Sequence, residues 1–264
     1  MTEDLKKLTP VELRHLIRKG DFSGQTSGLA AGYTQANLVV LPSNLAYEFL
    51  LFTQRNSRSC PVLEVSDQGS RKLNWLASDI DLANDFPKYR IYRKGKLVKE
   101  TTSVADIWRD DLIGFLIGCS FSFESELLAA GIEVRNITEK VNVPMFNTNI
   151  SLRAAGRFTG KMVVSMRPIP KNQVIKAVQI TTAMPKVHGA PIQIGNPEEI
   201  GITDLFHPDY GDPVTINPGE VPVFWPCGVT PQNVIMRVKP DFVITHSPGH
   251  MLVTDIKNAS LKYD

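Results

Sequence analysis

The sequence contains few cysteines, and the three that it has lie far apart. Cys60, Cys119 and Cys227 form no C-x-x-C pair, and their number is odd. A disulfide framework requires paired cysteines and an oxidising compartment. We therefore expect no disulfide framework, and we expect the protein to be cytoplasmic, where thiols stay reduced.

Long apolar segments are also missing. The longest uncharged apolar run covers residues 112–123 and is interrupted by glycines and serines. A helix that crosses a bilayer needs about 20 apolar residues. The first residues, MTEDLKKLTP, contain early acidic residues and no apolar core, unlike a signal or transit peptide. The sequence thus predicts no membrane partner.

Neither sign of charge is in clear excess. The chain has 29 basic and 27 acidic residues, a net charge of +2, which gives no general attraction to nucleic acid. The one basic cluster is a predicted hairpin at 89–99 that turns at Lys94 and Gly95. It is interpretable as an anion patch or as a solvated edge hairpin whose lysines prevent aggregation, and the small net charge favours the second.

What the chain does have is ample apolar material and clear helix signals. Of its 264 residues, 42% are hydrophobic, and at this size folding buries about three quarters of the surface. Thr9, Pro10 and Glu12 form a capping-box pattern that predicts a first helix ending at Gly20. A second helix is predicted from Ser43. The pattern Ser103 to Asp106 predicts another helix, with Phe115 on its buried face.

Strand and helix patterns then predict the fold class. Strands are expected near 36–41, 60–65, 141–146, 160–168, 190–195, 220–225 and 241–246, with helices from Ser122, Pro170 and Thr230. The segment 220–246 has the strand-helix-strand order that requires parallel pairing. We predict an α/β fold with a mixed, partly parallel sheet flanked by helices, and a smaller two-layer α+β subdomain. The main domain would be 1–141 plus 216–264, and the inserted subdomain 142–215.

Polar clusters at the ends of these elements are the candidate binding residues. Helix N-termini predicted at Ser122 and Thr230 offer free N–H groups to an anion, and Arg167 could form a bidentate clamp. The residues therefore favour a small carboxylic acid as the ligand. The candidate binding set is Gln35, Asn37, Ser120, Ser122, Arg167, Cys227, Gly228, Thr230 and His246.

The candidate catalytic residues each have a structural alternative. Cys119 and Cys227 precede helix starts, which would lower the pKa of a nucleophile, but cysteines are also common core residues. His188 precedes a glycine and could be an acid–base residue or a capping histidine. Glu124 could be catalytic or could simply favour the helix dipole.

A metal site is the weakest of the alternatives. His246, His250 and Asp255 could together hold a metal, but their spacing matches no standard zinc pattern. A structural turn around Pro248 accounts for the same residues. We expect no metal and no cofactor.

Seven segments of the chain together have a distinctive pattern. They are GYTQANLVVLP, DDLIGFLIGCSFSFESELLAAG, VPMFNTNI, GKMVVSMRPIP, HGAPIQIG, EVPVFWPCGVTPQ and ITHSPGHMLVTD. These segments resemble the bacterial hydro-lyases of the D-glutamate cyclase family. The resemblance covers about residues 13–255, and Thr53 departs from it where a cysteine is expected. It implies a two-part α/β architecture and elimination of water from a small acid, with cyclisation of D-glutamate to 5-oxo-D-proline as the named activity.

For this reaction we assign roles as hypotheses. His188 would be the base for the ammonium group and Glu124 the acid on the leaving hydroxyl, with Cys119 as a further catalytic candidate. Arg167 and the N–H groups near Gly228 would hold carboxylates and the oxyanion. The alternative is a non-catalytic binding or regulatory protein for a small amino or oxo acid. A homodimer is the default expectation for oligomeric state.

Overall fold

The computed structural model describes residues 5–263 as two antiparallel sheets with six helices packed around them. Each helix is short, and the longest has 13 residues. The helices are α1 (Pro10–Lys19), α2 (Ser43–Arg55), α3 (Phe121–Ala129), α4 (Arg135–Glu139), α5 (Val174–Thr182) and α6 (Val229–Val238).

The first sheet has seven strands and is built around β1. This central strand pairs with β5 on one side, over seven residue pairs from Ala36 to Pro42, and with both β10 and β11 on the other. The strand order is β2-β5-β1-β10-β3-β4, with β11 also beside β1. The strands are β1 (Tyr33–Pro42), β2 (Val62–Val65), β3 (Tyr89–Arg93), β4 (Lys96–Thr101), β5 (Leu112–Gly118), β10 (Val243–His246) and β11 (Leu252–Lys257).

The second sheet has four strands, in the order β6-β7-β9-β8. Its central strands, β7 and β9, pair over seven residues. The strands are β6 (Met145–Ser151), β7 (Lys161–Pro170), β8 (Gln193–Ile194) and β9 (Glu220–Pro226). Although β9 lies beyond residue 215, it pairs with strands of the 142–215 segment. The predicted domain boundaries stay a prediction.

The α/β class is confirmed, but the prediction of a partly parallel sheet is wrong. The strand pairs of both sheets are antiparallel. The strand-helix-strand segment 220–246 was the basis for parallel pairing. Its two strands are not neighbours, because α6 connects β9 in the second sheet to β10 in the first. A crossover between two sheets places no constraint on strand direction within either.

A second correction concerns the segment after Ser103. The expected helix is reduced to one 3-10 turn at Ala105–Ile107, and residues Leu112–Gly118 form strand β5. An apolar run such as LIGFLIG fits a buried strand as well as a buried helix. Pairing with β1 satisfies its backbone and therefore decides the structure.

The start of the chain follows its sequence signals closely. Thr9 caps α1 through the N–H of Glu12, whose carboxylate accepts the Thr9 N–H, and Gly20 ends the helix in the left-handed region. Helix α5 follows them less well, since it begins at Val174, after a 3-10 turn at Lys171–Gln173, and not at Pro170. Ile175 on this helix is 74% exposed, while Ala177 and Thr181 are buried.

The first sheet separates two apolar clusters of the core. Along β1, successive residues belong to different apolar clusters: Leu38 and Val40 to one, Val39 and Leu41 to the other. This alternation means that the first sheet is covered on both faces. The hairpin of β3 and β4 lies at its edge, and β4 is exposed along most of its length.

Two glycines allow the backbone to approach closely between elements. A Cβ atom at Gly118 would lie 2.0 Å from the Lys186 carbonyl oxygen, and one at Gly228 would lie 2.3 Å from the side-chain nitrogen of Asn37. Both positions therefore require glycine for steric reasons. They bring the ends of β5 and β9 close to the neighbouring chain segments that surround the candidate site.

In the described range 5–263, none of the helices combines the length and the apolar character that a bilayer crossing requires.

Candidate functional site

A buried ion pair between Arg167 and Glu124 is the centre of the candidate site. Arg167 is on β7 of the second sheet, and Glu124 is on α3, which packs on β1 of the first sheet. Arg167 Nε donates to Glu124 Oε1 at 3.0 Å, and Nη2 donates to the same oxygen. The two side chains are only 1% and 2% exposed.

The guanidinium group of Arg167 makes further contacts that fix its position. Nη1 donates to Ser165 Oγ at 2.9 Å, and Nη2 donates to Ser120 Oγ at 3.0 Å. The rings of Phe123 and Trp225 lie 4.9 and 5.6 Å from its central carbon. Because most of its five N–H donors are already used within the protein, Arg167 acts as a fixed internal cation and has little capacity to clamp a substrate carboxylate.

The carboxyl group of Glu124 is only half satisfied. Burial raises its pKa, and the nearby Arg167 and the Ser27 hydroxyl oppose that effect. Its second oxygen, Oε2, is buried and has no hydrogen-bond partner among the described residues. A carboxyl with a raised pKa and one free oxygen is suited to carrying a proton.

Glu124 lines a small cavity, which we call the Glu124 cavity. Its volume is about 120 Å³, which is space for about four water molecules. Apart from Glu124, Gln35, Ser125 and Tyr33, its lining is apolar or glycine. It lies between the loop 28–33 and helix α3, and is lined by Gly28, Leu29, Ala30, Ala31, Gly32, Tyr33, Gln35, Phe121, Glu124, Ser125, Leu128 and Ile137.

Gln35 is held firmly in this cavity wall. Its Nε2 donates to the carbonyl oxygens of Thr26, at 3.0 Å, and Leu29, at 3.2 Å. Its backbone N–H donates to Ser122 Oγ at 2.9 Å. Its Oε1 is buried and has no partner among the described residues. Ser122, expected as a helix cap, instead lies inside α3, which begins at Phe121.

A second, smaller cavity brings together many of the other predicted residues. We call it the cysteine cavity, and its volume of about 20 Å³ is enough for one water molecule. Phe121 lines both cavities. The predicted residues that line the cysteine cavity are Asn37, Cys119, Ser120, Cys227, Gly228 and His246.

The two cysteines of this cavity are thiols rather than thiolates. Burial raises the pKa of Cys119 well above its ordinary value and that of Cys227 to about 11. The expected lowering by the adjacent helix start is therefore outweighed by loss of solvation. Neither cysteine has the activation that a nucleophile needs at neutral pH.

Asn37 and Thr230 form hydrogen bonds with backbone groups around the site. Asn37 Nδ2 donates to the carbonyl oxygens of Ile117 and Gly118, at 3.2 and 2.9 Å. Thr230 Oγ1 accepts from the N–H of Val163 and donates to its carbonyl, at 3.0 and 3.1 Å. Helix α6 begins at Val229, one residue before the predicted start. These contacts fix the ends of β5 and α6 beside the cysteine cavity.

His246 is a neutral histidine that is held by the backbone of Leu38 and by Gln232. Burial lowers its pKa to about 3, and its Nδ1 lies 3.1 Å from the Leu38 nitrogen, 3.3 Å from the Leu38 carbonyl oxygen and 3.2 Å from Gln232 Nε2. Its Nε2 is buried and has no partner in the described part of the chain.

His188 lines neither of these cavities, although Arg167 is near enough to contribute to lowering its pKa. It lines a separate cavity of about 450 Å³ together with Arg58 and Cys60. Its Nδ1 lies 2.9 Å from the carbonyl oxygen of Arg58 and so carries the proton. Burial lowers its pKa to about 4, so the ring is neutral and a poor base at pH 7.

The residues of the alternative metal site have other partners and do not come together. Asp255 is bound by Arg14 at 2.9 Å, and His250 Nδ1 lies 2.8 Å from the carbonyl oxygen of Pro248. Within residues 5–263, no three side chains of the types that bind metals come together.

Ser165 is the site residue that the sequence did not point to individually. It lies two positions before Arg167 on β7, so both side chains are on the same face of the strand. This spacing beside a candidate arginine is the signal that could have identified it.

Comparison with known proteins gives a consistent picture. A family model described as D-glutamate cyclase matches residues 113–255, more than half of the chain. A Clostridium beijerinckii protein is 64% identical over 260 residues, covering 98% of this chain and 99% of its own length. A Bacillus subtilis protein is 57% identical over 254 residues, covering 96% of this chain and 99% of its own. Both are named "Putative hydro-lyase".

Among solved structures, a nitrogen repressor-like protein from Methanococcus jannaschii aligns over 95% of this chain and 99% of its own. The TM-score is 0.38 and the identity 10%, so the alignment carries no argument.

Proposed function

Because the chain belongs to the D-glutamate cyclase family, we propose that it is a hydro-lyase that removes water from a small amino acid. The substrate to test first is D-glutamate, with 5-oxo-D-proline as the product. The observation that carries the proposal is the buried Glu124 carboxyl, with Oε1 held by Arg167 and Oε2 without a partner beside a cavity.

The reaction requires proton transfer between two ends of the same molecule. The substrate nitrogen bonds to the γ-carboxyl carbon, and one γ-oxygen leaves as water. Two protons leave the ammonium group, and both end on the departing oxygen, so the balanced reaction consumes no other reactant. Because ring closure is intramolecular, positioning supplies much of the rate enhancement.

Glu124 is the residue we assign to this proton transfer. Its Oε2 would take a proton from the substrate nitrogen and return it to the leaving oxygen, and the pKa raised by burial suits both steps. Arg167 is a positioning residue, because its N–H groups hold Oε1 and leave only Oε2 available. His188 has no role in this version, because it lines a different cavity.

The volumes of the two cavities limit the size of ligand that can bind. The Glu124 cavity offers space for about four water molecules and the cysteine cavity space for one. We propose that Phe121, which lines both cavities, moves when a ligand enters, so that carboxylates of the substrate reach Ser120 and the N–H groups near Gly228.

The test is direct assay of the purified full chain. D- and L-glutamate are incubated separately, and 5-oxoproline is measured by chiral chromatography with mass detection. We expect turnover of D-glutamate by the wild type and by Glu126→Gln, and its loss in Glu124→Gln. Glu126 is a matched control, since it is on the same helix but pairs with Lys262 near the surface. Ligand binding without any turnover would contradict the proposal and favour a non-catalytic binding protein.

A further inference from the structure

Two residues that line the Glu124 cavity each have a buried side-chain oxygen without a hydrogen-bond partner among the described residues. The atoms are Gln35 Oε1 and Glu124 Oε2, and the Ser27 hydroxyl, which also has no partner, lies near enough to Glu124 to act on its pKa. The two residues are 2% and 1% exposed. A buried acceptor without a donor is unfavourable, so such atoms in native proteins usually face a ligand, an ion or water.

The orientation of the Gln35 amide is fixed by its neighbours. Nε2 donates to two carbonyl oxygens, those of Thr26 and Leu29. Rotation of the amide by 180° would place Oε1 against both of these oxygens and lose both bonds. Oε1 therefore stays directed away from them, and it can only accept.

The orientation of the Glu124 carboxylate is fixed in the same way. Both bonds from Arg167 go to Oε1, one from Nε and one from Nη2. When ionised, Oε2 is also an acceptor only. No basic side chain occurs among the described residues that line this cavity, and Arg167, which bonds Oε1, lies outside its lining.

We propose that the Glu124 cavity is the subsite for the primary ammonium group of the ligand, so that Gln35 and Glu124 are the residues that select an α-amino acid over the corresponding hydroxy or oxo acid. The inference rests on the proposed function, which takes the ligand to be a small amino acid. An ammonium group has three donors and a positive charge, which matches two acceptors of which one is anionic. A volume of about 120 Å³ accommodates it together with a few carbon atoms.

The first experiment compares three ligands that differ only at the α-position. Binding of D-glutamate, D-2-hydroxyglutarate and 2-oxoglutarate to the wild-type protein is measured by calorimetry. We expect affinity to decrease in that order, with the oxo acid about tenfold to a hundredfold weaker than the amino acid, because it cannot donate to either oxygen. Equal affinities, or tighter binding of the oxo acid, would overturn the proposal.

The second experiment replaces one acceptor oxygen with a hydrogen-bond donor. In Glu124→Gln, the amide oxygen must face Arg167, so the amide nitrogen replaces Oε2 as a donor at the cavity. We expect D-glutamate to bind at least about tenfold more weakly, with no loss for 2-oxoglutarate. Glu126→Gln should keep the wild-type order. An unchanged preference in folded Glu124→Gln would contradict the proposal, and the wild-type comparison remains decisive if this variant does not fold.

A third experiment uses probes that have no carboxylate. The side-chain amide signals of Gln35 are followed by NMR in methylammonium chloride and in sodium chloride. We expect a saturable shift with methylammonium only. Equal shifts with both salts, or no shift with either, would overturn the proposal.

The inference and the proposed function can fail separately. Turnover of D-glutamate without amine preference in binding would refute the ammonium subsite and leave the hydro-lyase. Amine-selective binding without turnover would support the subsite and refute the hydro-lyase.

Discussion

Two buried arginines, Arg14 and Arg167, meet carboxylates in very different surroundings. Arg14 is on α1 and binds Asp79 at 2.5 Å and Asp255 at 2.9 Å. Those carboxylates are 33% and 40% exposed, so water also reaches them. The Glu124 carboxyl that meets Arg167 is 2% exposed.

The pKa shifts of the carboxylates follow this difference. For Asp79, partial burial acts to raise the pKa, but Arg14 and Arg18 outweigh it and the net shift is downward. For Glu124, burial dominates and the pKa rises despite Arg167. The comparison teaches that an arginine partner alone does not make a carboxylate a permanent anion. Access to water decides whether the pair is purely structural or can exchange a proton.

The largest expected effect is on activity. Glu124→Gln should lower kcat for D-glutamate by about a hundredfold or more, the range typical of a lost proton-transfer group. Asp79→Asn, which alters the partly exposed Arg14 cluster, should leave kcat close to wild type. Steady-state kinetics of the two variants provides the measurement, and equal losses would remove the functional distinction between the two regions.

The next effect is on stability. Arg167→Met leaves Glu124 buried without a counter-ion, and we expect the free energy of unfolding to fall by about 3–5 kcal/mol. Arg14→Met should cost less, because its carboxylate partners can be hydrated and Asp79 keeps Arg18. Urea unfolding followed by circular dichroism compares them. Adding Glu124→Leu to Arg167→Met should recover part of the loss, and a double variant as unstable as Arg167→Met would argue against the buried-charge explanation.

The third effect is on the pH dependence of stability, where the two regions should have opposite signs. The pKa of Asp79 is lowered in the folded state, so its contribution is present above the unfolded pKa and is lost as pH falls. The pKa of Glu124 is raised, so its contribution is present at low pH and is lost as pH rises through the raised value. From pH 3 upward, unfolding free energy should rise less steeply in Asp79→Asn than in wild type, and more steeply in Glu124→Gln. Slopes changed in the same direction would contradict this assignment.

The smallest effect is expected two residues from Glu124. Glu126 pairs with Lys262 at 2.5 Å, and both side chains are partly exposed. Glu126→Gln should change the free energy of unfolding by no more than about 1 kcal/mol. A larger change, measured in the same urea titration, would show that the stability cost of removing a charge from α3 does not depend mainly on how deeply that charge is buried.

The sequence predicted the fold where local signals dominate. The Thr9–Glu12 capping box of α1 and the turn at Lys94 and Gly95 depend only on near neighbours, and both are present in the structure. Strand β5 was misread as part of a helix because its partner, β1, is some 75 residues away in the chain. Parallel pairing was wrong for a related reason, since sequence order does not show that α6 connects two sheets.

The sequence predicted which residues belong to the candidate site better than it predicted how they are arranged. Arg167 and Glu124 were both selected from the sequence, and the structure places them in contact. Their pairing could not be foreseen, because it depends on how α3 packs against the second sheet. His188 was selected on the same grounds, but burial and a contact with the Arg58 carbonyl place it in another cavity. The role of every site residue stays a prediction.

The Arg167–Glu124 pair lies where the two sheets meet. Arg167 belongs to β7 of the second sheet, while α3, which carries Glu124, packs on β1 of the first sheet and, through Phe123 and Leu127, on the apolar cluster of the second. Sliding of one sheet against the other would therefore disturb the contacts that hold the two charged groups together. Hydrostatic pressure acts on such packing, so the proposed activity should respond to compression at pressures below those that unfold the chain.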